Sequence, residues 1–92
     1  MDDRVRKAIF EKIDEALTNV DEISEIVHNL CKIHVESRND FALGIAIGRV
    51  YNSFHYQTRR ALKRNATEEE FAEFLNILAE RAGEIRKALK QQ

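Results

Sequence analysis

One apolar stripe runs through the first third of the chain and constrains what it can become. Val5, Ile9, Ile13, Ala16, Val20, Ile23, Val27 and Leu30, with His34 next, follow one another at steps of three or four residues. That spacing is one face of an α-helix, because 3.6 residues complete a turn. Phase is kept through Thr18-Asn19-Val20-Asp21-Glu22. The reading is therefore a single helix over about 3–36, roughly 50 Å long at 1.5 Å per residue. Asn19 with Glu22 three residues later has the form of a capping box, and marks the place where that helix would kink or restart.

Glu36-Ser37-Arg38-Asn39-Asp40 is polar and holds good N-cap residues, so a turn belongs there. A second helix is expected from Asp40 to about Arg64, with Asn65 as a left-handed stop. The clearest start signal follows it. Thr67 and Glu70 form Ser/Thr-x-x-Glu, and Ala66 with Phe71 occupies the positions of a hydrophobic staple. The last helix, about 68–90, carries Phe71, Phe74, Leu75, Leu78, Ala82, Ile85 and Leu89 on a narrow stripe. So short a connection forces the helices at about 40–64 and 68–90 to run antiparallel. No segment alternates with period two. The expected fold is all-α, a single helical-bundle domain over 1–92: an antiparallel hairpin packed with the long N-terminal helix and completed by dimerisation.

The reason to expect a dimer lies in the central helix. It carries two adjoining stripes, Leu43, Ile47, Val50, Phe54, Ala61 and Gly44, Gly48, Tyr51, His55, Leu62. Together they cover nearly half its circumference, more than one neighbour can bury. Gly44, Gly48, Tyr51 and His55 are the candidate contact, since two glycines four apart leave a flat spot for a second backbone. A continuous N-terminal helix would also overhang the hairpin by roughly 15 Å of apolar surface. The partner expected first is a second copy of the chain.

Composition narrows the class. A chain that is 43% hydrophobic, with three Gly and no Pro, is neither disordered nor collagen-like. One Cys excludes an internal disulfide framework and fits a reducing compartment. Met1-Asp2-Asp3-Arg4 does not resemble a secretory leader, and the longest apolar run, Phe41 to Gly48, is far below the roughly 20 residues of a membrane span. The expectation is a cytoplasmic protein with no membrane partner.

Charge is distributed unevenly: residues 1–36 carry −4, residues 37–66 carry +5 and residues 67–92 carry −2. Within the basic middle, Arg49, Asn52, Tyr56, Arg59, Arg60 and Lys63 fall on one side of the central helix. Clustered Arg and Lys suit phosphates, and unpaired bases stack on Tyr, so this strip is a candidate anion or nucleic-acid site. The alternative is internal pairing with Glu69, Glu73, Glu80 and Glu84 of the last helix.

Arg49-Val-Tyr-Asn-Ser-Phe-His55 resembles the Arg-x(4–6)-His motif of HEPN ribonuclease domains, which are small all-α dimers. That resemblance covers seven residues; it implies a composite site at a dimer interface, with Arg49 and His55 acting on RNA. Other partial patterns lead to no site. Glu69-Glu70-Phe-Ala-Glu73 is similar to the carboxylate motif of all-α nucleotide pyrophosphohydrolases, yet no Asp follows Asp40. Glu25 and His28 are half of a di-iron signature, yet the central helix has no acid between Phe41 and Asn65. His28, Cys31 and His34 are spaced by three, and His34 is expected in the buried stripe. No catalytic residue, metal or cofactor is assigned. The functional expectation is a non-enzymatic bundle acting through self-association and macromolecular binding, with binding of RNA or another single strand as the alternative, extending to HEPN-like cleavage.

Overall fold

Three of the four helices begin where a polar side chain satisfies their first free N–H groups. A computed structural model describes residues 1–30 and 32–90, and contains α1 (Asp3–Thr18), α2 (Val20–Asn29), α3 (Arg38–Leu62) and α4 (Glu68–Lys90). Among the described residues there is no strand. The Asp2 carboxylate accepts from the Arg4 and Val5 N–H groups to start α1. The Thr67 hydroxyl accepts from the Glu70 N–H at 3.1 Å while the Glu70 carboxylate accepts from the Thr67 N–H at 2.8 Å, so the expected capping box opens α4.

Contacts between the helices give their directions. The Arg4 guanidinium reaches the Ala61 carbonyl, and Glu22 pairs with Arg49, so α1 and α2 run antiparallel to α3. Asp40 pairs with Arg86 at 2.9 Å, so α4 runs antiparallel to α3 as well. Arg6–Glu73 and Asp14–Arg81 then tie α4 alongside α1. The result is a three-rod bundle whose first rod is broken once, with extents of 40 × 23 × 19 Å.

The first rod differs from the expected 3–36 helix. It is interrupted at Asn19 (φ −102°, ψ 31°), whose side chain makes no capping hydrogen bond; Glu22 goes to Arg49 instead. It ends at Asn29, whose amide donates to the Glu25 carbonyl, and the Ile33 N–H closes a turn on Leu30. Leu30 and His34 are consequently exposed and outside the core. At about 39 Å, α1 and α2 together match the lengths of α3 and α4, so the expected overhang does not exist.

The ends of the central helix also shift. Ser37, not Asp40, is its N-cap, accepting the Asp40 N–H at 3.2 Å. Lys63, not Asn65, ends it in the left-handed conformation at φ 58°. Along α3 the buried row is Ala42, Ala46, Val50, Phe54 and Thr58, with Leu43, Ile47 and Ala61 only partly buried against it. The two alanines let the first rod approach closely; the row then meets Val5, Ile9, Ile13, Ala16, Val20, Ile23 and Val27 from that rod, and Phe74, Leu78, Ile85 and Leu89 from α4. Thr58 is the one buried polar side chain among the described residues, and its hydroxyl donates to the Phe54 carbonyl at 2.8 Å.

Candidate functional site

With its inner row committed to the core, α3 presents two outward faces. The first carries Gly44, Gly48, Tyr51 and His55. Both glycines are exposed in ordinary helical conformation, and a Cβ added at either would meet nothing within 4 Å. Within one copy they therefore touch no other helix. Tyr51 stands 47% exposed. His55 is half-buried, held edge-on to Tyr51 (centroids 4.7 Å) and stacked near Phe71 of α4 (6.0 Å).

Helical spacing extends this face onto α4. Arg86 of α4 reaches across to Asp40, so the α4 side bearing Arg86 lies against α3. Phe71, Leu75, Ala79 and Ala82 fall on or beside that side. Leu75 is 45% exposed, Ala79 is exposed, and Phe71 and Ala82 are half-buried. Gly44 and Gly48 on α3 and Ala79 and Ala82 on α4 thus make a shallow, nearly side-chain-free area, with Tyr51, Phe71 and Leu75 rising at one end. The one cation in the span, Arg86, is neutralised by Asp40, and its hydrogen bond holds the Asp40 carboxyl below the ordinary carboxylate range.

The second face is the polar strip. Asn52, Tyr56, Arg59, Arg60 and Lys63 are all exposed, with Arg49 half-buried at its edge. The expected pairing with α4 is not made: among the described ion pairs, Glu73 takes the Met1 amino group and Arg6, Glu84 takes Arg81, and none joins Glu69 or Glu80 to the strip. Four further acids are also engaged, Glu22 by Arg49, Glu15 by Lys12, Asp2 by Arg4 and Glu70 by Arg64. The Arg64 hydrogen bond, followed by that from the Thr67 N–H, brings the Glu70 carboxyl down to about 2. Arg59, Arg60 and Lys63 take part in no ion pair among the described residues.

Arg49 and His55 are not brought together within one copy. Six residues along a helix separate them by about 120°. Arg49 lines a depression with Glu22, Asn52 and Tyr56, whereas His55 lines another with Tyr51 and Phe71. The His28–Cys31–His34 spacing does not make a centre either. Cys31 lies outside the described residues, and His34 is 88% exposed beside Glu36 instead of occupying the core. Among the described residues no three His, Cys, Asp or Glu side chains converge as a metal-binding group, and no helix is long and apolar enough to cross a membrane. No known protein family matches the chain, and no curated protein or solved structure is significantly similar to it.

Proposed function

We propose that this protein acts by self-association, two copies pairing through the α3–α4 face centred on Gly48. The observation that carries the reading is the emptiness over Gly44 and Gly48 in a helix whose other sides are covered or polar. A glycine in a helix interior costs roughly 0.5–1 kcal/mol relative to alanine. Two of them four residues apart gain nothing inside one copy, and gain close backbone approach if another helix lies across them.

The dimensions support a second copy as the occupant. α3 is about 37 Å long, and a helix pair about 20 Å wide gives a face on the order of 700 Å². That is near the roughly 800 Å² per partner of a standard specific interface. The face has no unneutralised charge at its centre, so a twofold pairing of the patch with itself meets no repulsion. His55 and Tyr51 sit at its edge, fixed by Phe71, as preformed contact surface. The role that follows is that of a non-enzymatic dimeric scaffold, presenting its remaining surfaces twice.

The experiment is light scattering coupled to size exclusion on the wild type and on Gly48→Glu. Wild type at twice the chain mass, with the variant at 10.7 kDa and unchanged helical circular dichroism, is the expected result. A wild type that stays at the chain mass at high micromolar concentration rejects the proposal.

A further inference from the structure

Beyond self-association, we infer that the outer strip of α3 is a binding site for single-stranded nucleic acid, with Arg59, Arg60 and Lys63 holding phosphates and Tyr56 stacking a base. Local charge accounting carries it. Glu22, Glu15, Asp2 and Glu70 are each occupied by a base outside this trio, and Glu73 and Glu84 of α4 pair elsewhere. Glu68, which lies beside Tyr51 and His55, forms no ion pair with any of the three among the described residues. A compact positive patch therefore remains on a chain whose net charge is −1, so it is a local design and not a consequence of overall basicity.

The shape fits a strand. One depression is lined by Tyr51, Asn52, His55, Arg59, Asn65 and Ala66, and the next by Arg59, Lys63, Arg64 and Asn65. Sharing Arg59 and Asn65, they form one groove along the end of α3. From Asn52 to Lys63 the strip runs about 16 Å, room for a few nucleotides in extended form. Tyr56 is 54% exposed and lines the adjoining depression with Arg49 and Asn52, where Glu15 and Glu22 are already paired with Lys12 and Arg49. Asn52, common to this depression and the groove, adds an amide able to read a base edge.

A single strand is favoured over a duplex because it alone offers unstacked bases to Tyr56, while the groove is too short to follow two backbones. Tyr56 and Gly48 are eight residues apart, about 80° around the helix, while Tyr51 and His55 border both the groove and the edge of the pairing face. The two sites therefore adjoin, and the phosphate-holding residues belong to one copy.

The test is fluorescence anisotropy with a labelled twelve-nucleotide oligouridylate, its deoxythymidylate counterpart and a twelve-base-pair duplex. Three neutralised phosphates predict roughly 20-fold weaker binding between 50 and 200 mM salt, from a slope of about −0.7 per phosphate. Arg59→Ala with Lys63→Ala should cost at least tenfold, and Tyr56→Leu about tenfold, with circular dichroism unchanged. Tighter binding of either single strand than of the duplex supports the site and identifies which sugar it takes. No binding at 50 mM salt, equal binding of the duplex, or full affinity in either variant overturns it. Gly48→Glu should still bind, so loss of pairing and loss of this site are read separately.

Discussion

The rings of Phe54 and Phe74 stack 4.4 Å apart and within 4° of parallel, joining the middle of α3 to the first half of α4. Both are fully buried, and Phe71 and His55 close round them as a four-ring cluster. Phe74→Ala removes the partner and leaves a cavity, a loss of about 3–5 kcal/mol. For a domain whose whole stability is on the order of 5–15 kcal/mol, that leaves little margin. Urea denaturation of Phe54→Ala, Phe74→Ala and the double variant should show coupling of about 0.5–1.5 kcal/mol beyond the separate losses. Simple additivity would mean that the stack contributes only buried area.

The capping box at the start of α4 predicts both a mutational loss and an acid-sensitive range. Thr67→Ala should cost about 1 kcal/mol, since it strips an acceptor from the Glu70 N–H. Glu70 has a folded pKa of about 2 against an ordinary 4.5. Its stabilisation is therefore complete above about pH 4.5 and is lost as pH falls toward 2. Melting curves of wild type and Glu70→Gln, taken between these limits, should converge as the medium becomes more acidic. A gap that stays constant across the range would rule out this origin.

Gly48→Leu separates the fold from the pairing. Within one copy the new side chain meets open solvent, and helix propensity improves by roughly 0.5–1 kcal/mol over glycine. The isolated copy should melt no lower than wild type studied below its association range, while sedimentation equilibrium should show a dissociation constant raised at least a hundredfold. A variant that still pairs with wild-type strength would place the interface elsewhere.

Lys63→Gly should move stability and binding in opposite directions. A lysine at φ 58° is in a conformation that glycine adopts without strain, and its replacement should stabilise the copy by about 1 kcal/mol. The same change deletes one of the three uncommitted cations, so single-strand affinity should fall several-fold. Parallel denaturation and anisotropy measurements check both halves.

Much of this arrangement is legible from spacing alone. The stripe from Val5 to Val27 is buried as its period requires, and Thr67 with Glu70 starts α4 through the chemistry their identities suggest. The break at Asn19 and the end at Asn29 are harder to read, because the apolar phase passes through the first undisturbed and continues to Leu30 and His34 beyond the second. What ends the rod is tertiary: the first rod has already reached the beginning of α3, and the chain must turn back. Alanine explains the other gap. Ala42 and Ala46 are weak signals of burial, yet their small side chains form the inner row of α3, while Leu43 and Ile47 with stronger hydropathy stand partly outside it. The two outward faces follow from helical spacing. Which acids are already engaged does not, because it depends on contacts such as Glu22–Arg49 and Arg6–Glu73 across 27 and 67 residues.

The corner between α3 and α4 also bears on the order in which the chain assembles. Lys63 closes one end and Thr67 opens the other, so the hairpin requires only a short loop to be closed, at small entropic cost. The first rod must instead find its partners across most of the chain. The hairpin is thus the natural nucleus: changes at Thr67 should slow refolding, whereas changes at Ile9 or Ile13 should chiefly hasten unfolding.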